Sequence, residues 1–215
     1  MNKLNTNSNA YIFIYSTVLV VVVAFLLAFI FQVLKPMQDA NVALDVKKQI
    51  LYSLNIRGLD GQEAEQKYAE VVTDKVEKAD LVYYNCVIDG QTKYVFPLKG
   101  MGLWGGISGF VSVDDDLNTI YGAYFNHESE TAGLGAEIKD SQKWQEKFQG
   151  KKIFDANGNA AIAVVKKVAN PDSEVDCVTG ATLTSNGVSD MLREGLAESV
   201  GMLKNMVEET KVEEE

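Results

Sequence analysis

The first hydrophobic feature of the chain is unbroken rather than periodic: YIFIYSTVLVVVVAFLLAFIFQVL, residues 11–34, carries no charge. As a helix rising about 1.5 Å per residue it reaches about 36 Å, enough for a hydrocarbon core of about 30 Å. A cleaved signal peptide is the rival, but its apolar region is normally about 7 to 15 residues, and no clear small-x-small site follows directly. The run predicts an uncleaved transmembrane helix behind a short tail, residues 1–10. Beyond Pro36, NVALDVKKQILYSLNI sets Val42, Val46, Ile50 and Leu54 one turn apart, the spacing of a helix. EAEQKYAEVVTDKV extends that expectation, so residues 35–80 read as a helical connection.

From Leu81 the period falls to two. LVYYNCVI, an Asp89-Gly90 turn and TKYVFPL predict a hairpin. ISGFVSV and TIYGAYF predict a second strand pair across the acidic turn DDDLN. KWQEKFQGK reads as a short helix and AIAVVKKV as a further strand. Val188, Met191, Leu192, Leu196, Val200, Leu203 and Val207 then line one face of a terminal helix. The expected class is α+β: a single N-terminal transmembrane helix followed by a mixed sheet-and-helix domain over residues 81–207. Residues 208–215 form an acidic tail, expected to be solvated and frayed.

Composition narrows the choices. With 215 residues, 47% of them hydrophobic, the chain can supply one membrane segment and one compact domain. Its net charge of −10 argues against nucleic acid, whose phosphates need a basic footprint. Near the anchor the charges are equivocal: Lys3 and the amino terminus lie before it, Lys35, Lys47 and Lys48 after it. The positive-inside rule therefore does not favour export, though it weakens for long domains. Cys86 and Cys177 lack C-x-x-C spacing, which argues against zinc or an iron–sulfur cluster held by this chain alone. They are two separate thiols or, in an oxidising compartment, a pair. His127 is the only histidine, so multi-histidine metal chemistry has little room.

Three segments combine glycine with polar or aromatic groups beyond what a core requires. KGMGLWGGISG, residues 99–109, surrounds Trp104 with glycines that permit close backbone approach or positive φ; it is either a site or a glycine-rich crossover over the core. NHESETAGLGAEI, residues 126–138, sets His127, Glu128 and Glu130 before a Gly-Leu-Gly turn, and by itself reads equally as a solvated loop. DCVTGATLTSNGV, residues 176–188, crowds hydroxyls at a helix entrance. Such residues cap free amides, and the same amides and the helix dipole suit a phosphate.

Asp176-Cys177-Val178-Thr179-Gly180-Ala181-Thr182 resembles the Asp-x-x-Ser/Thr-Gly-Ala-Thr/Ser pattern of bacterial domains that carry FMN on the final hydroxyl. HESETAGLG and GMGLWG are similar to segments of the C subunit of the sodium-translocating NADH:quinone reductases, and the resemblance takes in the anchor, the ALDVKKQIL helix and the terminal helix. The G subunit of the Rnf ferredoxin:NAD complex shares the motif and the single anchor. Ala132 departs from the family's usual proline, and Cys177 from a common glycine.

The resemblance implies a covalent FMN on Thr182 through a phosphodiester. Asp176, Thr179, Gly180 and Ala181 would be the recognition pattern of a separate flavin transferase. Thr184 and Ser185 would cap the helix and hydrogen-bond the phosphate. Leu103, Trp104 and Leu134 are candidates to pack on the isoalloxazine ring, Glu130 and Thr131 for polar contacts, while His127 contacts the flavin or braces the loop. No catalytic acid or base and no metal is expected, because flavin supplies the redox chemistry. The chain would relay electrons within a membrane complex that couples NADH oxidation and quinone reduction to sodium export. It would not oxidise NADH alone, having no dinucleotide fingerprint. Its partners would be the other subunits and membrane lipid, in a bacterial inner membrane with the domain on the periplasmic side. A non-redox, anchored binding or sensor domain is the reading from a different class.

Overall fold

The computed structural model describes residues 8–78 and 81–213. They divide between Asp45 and Val46 into two compact units. Helix α1, Asn9–Ser53, begins in the first unit and passes through Pro36 without ending. The proline removes one amide from the helical ladder, and the helix continues because its neighbours, Lys35 and Asp39 among them as an i,i+4 ion pair at 3.5 Å, stay helical. Among the described residues it is the one helix long and apolar enough to cross a membrane. Lys3 lies outside the described residues.

In the second unit the last turns of α1 bury Ile50 and Leu51, with Leu54 just beyond. Helix α2, Gly61–Val71, starts with a capping box in which Asp60 accepts from the Glu63 amide at 2.9 Å. Here the helical expectation for EAEQKYAEVVTDKV needs correction: the helix stops at Val71, and β1, Val72–Lys78, follows directly. In VTDKVEK nearly every side chain is polar, so a period-two burial pattern has no apolar contrast to reveal it. Residues 35–80 are thus not wholly helical.

Strands β2 (Leu81–Ile88), β3 (Gln91–Met101), β4 (Gly106–Asp114) and β5 (Ile120–His127) join β1 in one antiparallel sheet in chain order. The β2–β3 turn has Asp89 at φ 51° and Gly90 at φ 79°, the left-handed pair that matches strand twist. Alternation divides the two faces. Phe96, Leu98, Ile107, Val111, Val113, Ile120 and Phe125 enter the main core. On the other face Ser112 Oγ donates to the Ser53 carbonyl at 2.5 Å, tying the end of α1 to the sheet.

After β5 come α3 (Glu137–Asp140), α4 (Gln142–Gln145) and a 3-10 turn, Glu146–Phe148. Trp144 and Phe148 pack on Phe125 with ring centroids 5.7 and 5.1 Å away. The strand expected in AIAVVKKV reduces to β6, Ala163–Val165, which pairs in parallel with an unexpected β7, Glu174–Asp176. Helix α5, Thr182–Asp190, leads through a π-helical segment, Met191–Leu196, into α6, Ala197–Glu213. Val188, Met191, Leu192, Leu196, Val200 and Leu203 are buried as the spacing predicts. The acidic tail keeps helical backbone to Glu213, and Glu214 and Glu215 lie outside the described residues.

Candidate functional site

Thr182 is the first residue of α5, and the position before it, Ala181, makes no side-chain cap. Ser185 N donates to the Ala181 carbonyl at 2.9 Å and closes the first turn. The amides of Thr182, Leu183 and Thr184 therefore have no intrahelical acceptor. Thr184 and Ser185 are buried and turned inward: Thr184 Oγ1 donates to Glu130 Oε2 at 2.5 Å, and Ser185 Oγ accepts from Val178 N at 3.1 Å. Both hydroxyl oxygens, expected at the helix cap and the phosphate, thus have partners inside the protein. Just upstream, Gly180 sits at φ +79°, and a Cβ there would meet Leu134 Cδ2 at 2.8 Å. The positive φ favours glycine here, and Leu134 would have to turn aside for any Cβ.

The GMGLWGG segment is a hairpin end, not a crossover over the core. Gly102 N donates to the Gly105 carbonyl at 2.9 Å between β3 and β4, and Leu103 and Trp104 project with Trp104 66% exposed. α5 docks beside this turn through bare backbone, since a Cβ on Gly187 would collide with the Met101 carbonyl oxygen.

Glu130 joins the two. The residue is 7% exposed; its carboxylate accepts from Trp104 N at 2.9 Å on Oε1 and from Thr184 on Oε2. Gly102 and Gly135 leave it room, because a Cβ on either would run into a carboxylate oxygen. Burial alone would raise its pKa. Hydrogen bonds from Thr184 and from the Trp104 and Leu103 amides, with His127 adding to them, instead hold it below the usual carboxylate range. Both oxygens of Glu130, expected from sequence to offer a polar contact to the flavin, have partners within the protein. His127 Nδ1 accepts from Glu130 N at 3.2 Å, a contact within the loop. Thr131 is exposed, and its carbonyl accepts from the Leu134 and Ala136 amides, 3.1 Å each.

At the other end of the motif both oxygens of Asp176 bind Lys147 Nζ at 2.8 Å, and its carbonyl accepts from Trp144 Nε1 at 2.8 Å. A cleft of about 380 Å³ opens here, lined in part by Lys143, Trp144, Lys147, Asp176, Cys177 and Thr179. Lys147 and Trp144 were missed from sequence, as were the exposed Met101 and Leu183, at 71% and 59%. Leu183 had a signal, an apolar residue beside the motif yet off the buried helix face. Both cysteines are free, Cys86 buried and Cys177 half-buried, and no metal-ligating cluster occurs among the described residues.

These residues fit an FMN phosphate and ring. Unclaimed amides surround a half-buried threonine, a bare glycine precedes it, and apolar side chains stand exposed on the segments that Glu130 and Gly180 bring alongside.

Comparison with known proteins gives a consistent result. Residues 102–197 match the FMN-binding domain family. The C subunit of the Na(+)-translocating NADH-quinone reductase of Haemophilus ducreyi is 41% identical over 128 residues, covering 59% of this chain and 46% of the relative. Its counterpart in Vibrio anguillarum is 42% identical over 127 residues, covering 58% and 49%. The chain thus spans about half the length of the curated relatives it matches. The solved structure of the same subunit from Parabacteroides distasonis is 38% identical with a TM-score of 0.70, covering 78% of this chain and 96% of that one. NqrC of Shewanella oneidensis, at 23% identity and TM-score 0.61, covers 74% and 97% and supports the fold alone. On the near-complete match to the Parabacteroides structure, together with the motif geometry, this chain belongs to the family of C subunits of the Na(+)-translocating NADH-quinone reductases.

Proposed function

We propose that this chain is an electron-carrying subunit of a membrane Na(+)-translocating NADH:quinone reductase and holds FMN by a phosphodiester to Thr182. The observation that carries the reading is the uncapped start of α5, where Thr182 stands at a helix N-terminus whose first amides have no acceptor. A phosphate esterified to Thr182 Oγ1 would meet the amides of Thr182, Leu183 and Thr184 and the positive end of the helix dipole. Leu103, Trp104 and Leu134, with Met101 and Leu183, would pack on the ring and exclude water from it. Thr131 remains a candidate polar contact through its exposed side chain. Bound there, FMN would supply the redox chemistry, taking up one or two electrons. The ester keeps the site filled whatever the concentration of free cofactor, which a noncovalent site cannot do.

Asp176, Thr179, Gly180 and Ala181 would be read by a flavin transferase; Thr179 and Gly180 are exposed, and Lys147 holds Asp176 in place. α1 would anchor the chain by a single pass in a bacterial inner membrane, with the domain on the periplasmic side beside the other subunits. The test is in-gel ultraviolet fluorescence and peptide mass of full-length protein made with its flavin transferase, against Thr182→Ala. Fluorescence lost in a folded alanine variant supports the assignment. Fluorescence retained, or an unmodified Thr182 peptide in the wild type, rejects it.

A further inference from the structure

We propose that Glu130 is the positioning residue of this site: its carboxylate clamps the β3–β4 turn to the first turn of α5 and so fixes the apolar side chains relative to Thr182. The proposal rests on the reading that Thr182 carries the flavin. It goes further in giving Glu130 a role through protein groups rather than through contact with cofactor.

Three observations carry it. Each carboxylate oxygen has a partner from a different segment, Trp104 N at 2.9 Å and Thr184 Oγ1 at 2.5 Å. The segments meet there because glycines stand where side chains would collide, Gly102 on one side and Gly135 on the other. The loop that delivers Glu130 is itself held: its own amide donates to His127 Nδ1, and Leu134 from the same loop lies against Gly180. A buried carboxylate with charge-assisted bonds is a stiff link. The turn it restrains carries Leu103 and Trp104 far into solvent, where packing does little to hold them. A neutral apolar side chain at 130 would leave the Trp104 amide and the Thr184 hydroxyl without partners. The turn would then drift relative to α5 while the sheet beneath it stayed folded.

The experiment compares full-length wild type, Glu130→Ala, Glu130→Gln, Thr184→Val and Thr184→Ser, each produced both with and without the flavin transferase. Peptide mass first establishes the adduct at Thr182; its absence from wild type rejects the attachment reading and removes the role with it. Amide hydrogen exchange at Trp104 is then measured in protein made without the transferase, and visible circular dichroism of the flavin in loaded protein. The clamp predicts at least tenfold faster exchange at Trp104 in Glu130→Ala, with the core of β3 and β4 unchanged. It also predicts at least a twofold loss of flavin dichroism in Glu130→Ala and Thr184→Val, and near wild-type dichroism in Thr184→Ser. Should Glu130→Ala fail to fold, Thr184→Val against Thr184→Ser decides, because the first removes the hydroxyl at nearly constant volume and the second keeps it. Unchanged dichroism in loaded, folded Thr184→Val or Glu130→Ala overturns the proposal, even if exchange accelerates, since the carboxylate would then be structural only.

Discussion

Glu130 couples the stability of the site to pH. The folded pKa of Glu130 is lowered, so its contribution to stability is complete above the unfolded value of about 4.3, and is lost as pH falls through the folded value. Wild-type protein should therefore lose more melting temperature than Glu130→Gln on going from neutral pH to below that range. Parallel thermal melts would measure this, and equal slopes would contradict it. Gly180 makes a second residue-level expectation. Alanine there must hold φ +79° against Leu134, at a cost of about 1–2 kcal/mol in a denaturant titration. The turn at Gly180 and the helix start at Thr182 were legible in sequence because a glycine and several small hydroxylated residues fall within a few adjacent positions. The inward course of Glu130, Thr184 and Ser185 was not. Each is a polar residue in a polar stretch; Glu130 and Thr184 find partners only where distant segments meet, and Ser185 finds its own in the turn at Val178.

Among the elements, α5 depends on having no side chain at one place. Gly187→Ala would drive a Cβ into the Met101 carbonyl, so α5 must separate from β3; we expect a loss of more than about 2 kcal/mol and a sharp fall in adduct yield. Gly201→Ala in α6 meets nothing within 4 Å and should instead gain about 0.5–1 kcal/mol. The two substitutions make the same helix-propensity gain, so their opposite signs in one unfolding assay isolate the docking contact. The hairpins were legible because apolar alternation and the Asp89-Gly90 dipeptide agree. β7 was not: three residues, Glu174–Asp176, hold too little pattern, and its parallel partner β6 comes from a stretch that reads as longer. The π-helical segment was equally hidden. Its apolar residues keep an ordinary helical spacing, and nothing in MLREGL marks the change of pitch.

For the molecule as a whole, the division after Asp45 predicts where the chain can be cut. A fragment of residues 46–215 keeps Ile50, Leu51 and Leu54, all buried, and should fold as a soluble, cooperative unit. One of residues 55–215 loses all three, each worth about 1.5–3 kcal/mol of burial, and should not; circular dichroism and urea unfolding distinguish them. The general class, a helix followed by a sheet and a closing helix, follows from the change of period along the chain. Burial at the end of α1 begins inside what reads as a uniform helical connection, so the second compact unit takes in residues ahead of Leu81. Thiol chemistry reports on the same core: burial pushes Cys86 up to about 12. In the folded chain Cys177 should label with iodoacetamide, whereas Cys86 should label only after denaturation.

Among the described residues, β1 ends the sheet with a row of backbone donors and acceptors unmatched by any further strand. Along it Asp74, Lys75, Glu77 and Lys78 alternate in sign, and Lys75 and Glu77 pair with each other. A second copy approaching that border would have to strip water from charges of both signs before gaining any ladder bonds. Molecules crowded together by a shared bilayer therefore gain little from zipping border to border into a fibre.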